Sequence, residues 1–137
     1  MNSLDLQEII DKLELKTPFT GVRCKDEIKL CEPLDTECGI INLNDSTVDT
    51  EENKRTGHWV AYFIKDKNSY YFCSYGSPIP IALETYLPKP IHTHNLQIQE
   101  FGSSVCGELA CLWLMLMDRG FDYFDSVLLL YKTISYL

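Results

Sequence analysis

At 137 residues the chain can bury one hydrophobic core and is too short for two ordinary domains. Charged residues make up 23% and aromatic residues 12%, a globular balance that argues against disorder over most of the length. A formal charge of −8 argues against a broad electrostatic grip on nucleic acid, which rests on Lys and Arg, and leaves room only for a local basic patch.

The opening Met1-Asn2-Ser3-Leu4-Asp5 has neither the basic region nor the apolar run of a signal peptide, and no stretch is apolar for long enough to span a bilayer. The expectation is a soluble, intracellular, non-secreted protein without a membrane partner. Leu6, Ile9, Ile10 and Leu13 then recur at helical spacing over residues 3–15, with Asp5 and Glu8 placed to favour the first turn. Residues 19–24 and 38–43 read as short strands, and residues 25–37, with Pro33, as a mixed connection. Residues 44–56 are polar and lack apolar periodicity, which predicts an exposed loop that delivers the chain to His58.

Aromatic and β-branched residues at 59–64 and 69–73 surround Lys65-Asp66-Lys67-Asn68 and predict a hairpin. If the turn is centred between Asp66 and Lys67, His58 faces Tyr75, and Cys73 projects from the same side of the sheet, diagonally adjacent to His58. Residues 76–80 turn the chain, 81–87 can form a short helix, and Pro88 and Pro90 end it. Residues 95–99 read as a further strand, followed by a loop at 100–105. Residues 106–117 are apolar almost all round and predict the buried central helix; a last helix is expected over 122–136.

The six cysteines suit reduced thiols better than a disulfide framework. Cys24, Cys31 and Cys38 recur every seven residues, yet there is no CxxC, and His92 and His94 two residues apart add little. No metal and no cofactor are expected.

The chemistry lies in His58, Gln99 and Cys106, taken in that order. A thiol at a helix N-terminus beside an imidazolium has a depressed pKa, and a histidine can take its proton and return it to a leaving amine. The Gln99 amide and the Cys106 N–H would then supply oxyanion donors. Each residue alone has a plainer reading: buried free cysteine is common, and His58 and Gln99 could be structural or surface groups. Their joint order, with Cys106-Gly107 opening a long apolar helix, favours the site.

Four segments carry a family resemblance: Glu37-Cys-Gly-Ile-Ile-Asn-Leu-Asn-Asp-Ser46, Gly57-His-Trp-Val-Ala-Tyr62, Tyr71-Phe-Cys-Ser-Tyr-Gly76 and Gln97-Ile-Gln-x6-Cys-Gly107. The chain resembles the adenovirus-type maturation proteases and, more closely, the proteases of virophages and of Polinton or Maverick transposons, which share a fold with the SUMO-specific proteases. The resemblance implies a single α+β domain over residues 1–137 with a papain-like fold in circularly rearranged order, its central helix starting at the nucleophile and packed on a small mixed sheet. It implies His58 as base, Gln99 as oxyanion donor, Cys106 as nucleophile and Trp59 as a wall beside the site. It further implies cleavage of viral or element-encoded precursor proteins such as capsid proteins, in the virion and the host-cell interior, commonly after small residues such as glycine. If an activator exists, the acidic chain favours a basic peptide over DNA.

The chain departs from the family at Cys73, where Asp, Glu or Asn is usual. Three readings stay open: the Cys106 and His58 pair suffices, another acid reaches the ring, or the protein is a weakened relative that binds a peptide or capsid partner. Deconjugation of a ubiquitin-like modifier would use the same chemistry. A Cys73–Cys106 disulfide is disfavoured, because an imidazole between the thiols would hold the Cα atoms beyond the usual limit of about 7 Å.

Overall fold

The computed structural model describes residues 1–30, 32–44, 58–100, 103 and 105–135. Cys31, the expected loop from residue 45 onward with Gly57, and Phe101, Gly102 and Ser104 of the loop before Cys106 lie outside the described residues. In chain order the elements are α1 (Ser3–Leu13), β1 (Phe19–Cys24), a 3-10 turn (Lys25–Leu30), β2 (Glu37–Asn42), β3 (Trp59–Lys65), β4 (Asn68–Phe72), α2 (Ile81–Tyr86), β5 (Ile91–His92), α3 (Cys106–Asp118) and α4 (Tyr123–Ser135). The five strands form one mixed sheet in the order of the chain, with both outer pairs parallel and the inner pairs antiparallel.

The hairpin of β3 and β4 has the expected register. Lys65 pairs with Asn68, which leaves Asp66 and Lys67 as the turn, at φ 49° and 68°. Two consecutive left-handed residues make the turn whose twist matches that of the strands. The Asn68 side-chain amide donates to the carbonyls of Lys65 and Asp66, both at 3.3 Å, and so ties down a turn that lacks glycine.

Alternation along β3 divides the interior into two cores. Trp59, Ala61 and Phe63 face α3, where they meet Leu109, Ala110, Trp113 and Leu114. Trp113 stacks on Phe72 with ring centroids 5.3 Å apart, and its Nε1 donates to Ser126 Oγ on α4 at 3.1 Å. Val60, Tyr62 and Ile64 face the other way, against Ile28 and Leu83. That second core buries the carboxylate of Glu37, which accepts from the Leu34 N–H at 2.6 Å, the Tyr62 hydroxyl at 2.5 Å and the Tyr86 hydroxyl at 2.9 Å. Three donors make the burial of a charge tolerable.

The first helix covers the start of α3. Asn2 caps α1 in a reciprocal box with Asp5, and left-handed Glu14 ends it at Leu13, two residues short of the sequence expectation. Leu6 is fully buried, and a Cβ on Gly107 would come within 2.9 Å of its Cδ2, so glycine after Cys106 lets α1 approach the head of α3. At the other end Asp118 accepts from the backbone N–H groups of Lys16 at 3.0 Å and Thr17 at 2.8 Å, tying the α1–β1 link to α3.

One expected strand is corrected. Residues 95–99 form no ladder, because the N–H groups of Ile98 and Gln99 both donate to the single carbonyl of Ser74, at 2.7 and 3.1 Å. The edge strand lies earlier, at Ile91–His92, paired with Ser69 and Tyr70. Among the described residues no helix is long and apolar enough to cross a membrane.

Candidate active site

His58 is held where β3 begins. Its carbonyl accepts from the Leu43 N–H at 3.0 Å, and continuing the register of Ala61 with Phe72 outward sets it opposite Tyr75. The imidazole stacks on the Tyr75 ring, with centroids 4.4 Å apart and planes 18° from parallel. Nε2 lies 3.3 Å from the Cys73 Sγ, so Nδ1 is the nitrogen left for proton transfer. Cys73 is buried, and the Tyr71 hydroxyl lies beside its thiol. Burial lowers the His58 pKa from its ordinary value and favours the neutral ring.

Cys106 is the first residue of α3. The preceding Val105 occupies the cap position and offers no side-chain acceptor. The backbone N–H groups of Trp59, Gly107 and Cys106 itself act on the thiol in favour of the thiolate. Burial outweighs them and raises the pKa, with the Glu108 carboxylate adding to the rise. The expected depression of the thiol pKa is therefore absent in this state. Among the described residues no hydrogen bond joins His58 to Cys106, and burial favours the neutral ring. Catalytic hydrogen bonds often tighten only when substrate is bound.

Gln99 is almost fully buried, and both ends of its amide are engaged. Oε1 accepts from the Ser74 hydroxyl, while Nε2 meets two acceptors on Ser103, the carbonyl at 3.1 Å and Oγ at 2.8 Å. The amide nitrogen thus faces the segment that leads into Cys106. Trp59 packs in the α3 core, its Nε1 donating to the Met1 carbonyl at 3.3 Å, and its Cδ1 would be 3.4 Å from a Cβ on Gly107. It shares that buried cluster with Cys106.

The structure therefore joins His58 to Cys73 and packs Cys106 in one cluster with Trp59, and it leaves Gln99 bound to serines. Ser74 and Ser103 were not anticipated. Strand alternation was the available signal for Ser74, since residues 73 and 75 on the His58 side put residue 74 on the other.

The cysteine and histidine repeat assembles no site from its described members. Cys24 and Cys38 lie on β1 and β2, whereas His92 stacks on Tyr70 at 4.9 Å at the opposite edge of the sheet. None of the five described cysteines forms a disulfide, Cys73 and Cys106 included. Cys24, Asp26 and Glu27 bring three ligand atoms within 4.8 Å of one another, but Glu27 accepts from the Cys24 N–H at 2.7 Å, as a turn-closing carboxylate does. A small cavity of about 190 Å³ adjoins the site, between Ser3, Arg23, Cys24, Asn42 and Trp59.

No family model matches the chain, and no curated protein matches it. Solved structures do. The ASFV pS273R protease is 16% identical with a TM-score of 0.56, over 87% of this chain and 59% of that one. A selenomethionine structure of the same protease gives 20% identity and a TM-score of 0.51, over 77% of this chain and 45% of that one. The SUMO protease Ulp1, with its catalytic cysteine oxidised to a sulfinic acid, is 16% identical with a TM-score of 0.52, over 96% of this chain and 74% of that one. The chain thus spans little more than half the length of the first of these, and its α+β fold is that of the SUMO-protease type of cysteine protease.

Proposed function

We propose that the chain is a cysteine endopeptidase with Cys106 as nucleophile and His58 as base. The observation that carries this reading is that His58 directly precedes Trp59 at the start of β3, and Trp59 packs in one buried cluster with Cys106 at the head of α3. Cys73 at Nε2 and Tyr75 along the ring face hold the base and leave Nδ1 for the thiol.

The chemistry follows from neutral partners. His58 Nδ1 takes the thiol proton as sulfur attacks the substrate carbonyl, and the resulting imidazolium returns a proton to the leaving amine. Water, activated by the same ring, then hydrolyses the thioester. The oxyanion takes hydrogen bonds from the Cys106 N–H and from Gln99 Nε2 once Ser103 yields it.

The substrates we propose are viral or element-encoded precursor proteins, capsid proteins first, cut after small residues in the virion or the infected cell. The sequence resemblance and the viral protease among the structural neighbours support this. An activator, if one is used, would be a basic peptide, given the net charge of −8. A second reading, a peptide-binding relative without turnover, is favoured by Cys73 at the acid position and by the occupied Gln99 amide. A third, removal of a ubiquitin-like modifier, is favoured by the likeness to Ulp1 over 96% of this chain.

Incubation with precursor proteins and with modifier conjugates, using wild type and Cys106→Ala, separates them. Processing that disappears in Cys106→Ala is expected; equal processing by both would overturn the protease. Peptide binding without turnover by wild type selects the binding module, and cleavage of conjugates alone selects deconjugation.

A further inference from the structure

We propose that Ser74 is a positioning residue that sets the orientation of the Gln99 amide and so aims its N–H groups at the oxyanion. The inference rests on the protease reading above and adds a residue to it. Ser74 is fully buried and holds Gln99 at two points and its neighbour Ile98 at a third: its hydroxyl donates to Oε1, and its carbonyl accepts from the backbone N–H groups of Ile98 at 2.7 Å and Gln99 at 3.1 Å.

A carboxamide has nearly isosteric ends with opposite hydrogen-bond character, so burial alone does not decide which end faces the reaction. A hydroxyl that donates to Oε1 does decide it. The Ser103 carbonyl, which only accepts, enforces the same orientation in the free protein. An oxyanion must displace Ser103 from Nε2, however, and at that moment Ser74 is, among the described residues, the partner still holding the amide.

The position of Ser74 also links the two halves of the site. Its neighbours Cys73 and Tyr75 hold His58 by its Nε2 and by its ring face. Alternation sends the side chain between them the other way, to Gln99. One tripeptide therefore places both the base and the oxyanion amide, and a shift of its backbone would disturb the two together.

The test is a double-mutant cycle of Ser74→Ala and Gln99→Ala, read by peptide cleavage and by the rate of Cys106 alkylation. Removing a single oxyanion donor costs about 10²–10³ in kcat, and misaiming one is expected to cost about 10- to 100-fold. We expect that loss in kcat for Ser74→Ala, with KM little changed, alkylation at the wild-type rate, and no further loss when Gln99 is already Ala. Unchanged kcat, losses that multiply in the double variant, or a parallel loss of alkylation would overturn the proposal. If the wild type cleaves nothing, the protease reading fails separately, and Ser74 is then tested by NMR. Protection of the Gln99 side-chain amide from exchange that is lost in Ser74→Ala supports it; identical exchange in both proteins overturns it.

Discussion

Replacing Cys73 by Asp tests whether the site lacks only a charge. The Cys73 sulfur lies 3.3 Å from His58 Nε2, and at an effective dielectric of about 20 a unit charge there attracts the imidazolium by about 5 kcal/mol before the desolvation of the new carboxylate is subtracted. Opposite charges at such range move a pKa by about 1–3 units, or about 1.4–4 kcal/mol, a balance that already contains desolvation. In the wild type, burial lowers the His58 pKa and raises that of Cys106, so the ion pair is scarce at neutral pH. In Cys73→Asp the imidazolium persists to higher pH, and where it pairs with Cys106 the thiolate fraction rises by the same factor. Because nucleophilicity falls with thiol pKa at a Brønsted slope of about 0.4–0.5, roughly half of the exponent survives in the rate, about 3- to 30-fold. Iodoacetamide labelling of Cys106 from pH 5 to 9, located by mass spectrometry, reads that gain directly. A labelling profile unchanged in Cys73→Asp, with an unchanged NMR titration of His58, would refute the electrostatic reasoning.

Burial holds the His94 pKa down at about 4, so between its unfolded value near 6.5 and that value the unfolded chain binds the extra proton. Stability should therefore fall by roughly 2–3 kcal/mol as pH drops through this window, and urea melts at pH 7 and 4.5 should show a shallower loss in His94→Phe than in wild type. Gly76 has φ 69°, and a Cβ there would lie 2.7 Å from the Asn95 carbon and the Leu96 oxygen. Gly76→Ala should cost about 1–3 kcal/mol in urea melts and, by displacing the segment that leads to Gln99, should lower peptide cleavage more than Cys106 alkylation. In Ser103→Ala the Gln99 Nε2 loses one of its two acceptors, so an aldehyde inhibitor that forms an oxyanion on Cys106 should bind more tightly, by about 1 kcal/mol; a weaker or equal inhibition constant would contradict that competition.

The β3–β4 hairpin was legible because a two-residue turn leaves no freedom in register: once Asp66 and Lys67 are the turn, His58, Tyr75 and Cys73 are neighbours. The central helix was legible for a similar reason, since residues 106–117 are apolar on nearly every side. Residues 95–99 misled because their composition suits a strand while their amides converge on one carbonyl, a choice made by Ser74 and by the close approach at Gly76. The protonation state at Cys106 was illegible for a further reason. Helix position favours the thiolate, but burial opposes it, and that burial belongs to the tertiary packing around the head of α3, where Leu6 and Trp59 crowd Gly107.

A neutral thiol beside His58 changes where catalysis must find its stabilisation. A carboxylate neighbour both orients the ring and offsets the imidazolium charge; Cys73, at 3.3 Å, can orient it and contributes little to the charge. In thiol acyl transfer the counter-charge can instead come from the nucleophile before attack and from the oxyanion after it. On the proposed reading both anions form at the head of α3, where the backbone N–H groups of Trp59, Gly107 and Cys106 act in favour of the thiolate. On this reasoning the loss of Gln99 should cost this site more than the loss of Cys73. Peptide cleavage by Gln99→Ala should fall about 10²–10³-fold, whereas Cys73→Ala should lose less than about tenfold. A larger loss for Cys73→Ala than for Gln99→Ala would mean that the thiol at position 73 carries charge in the transition state and replaces the carboxylate in kind.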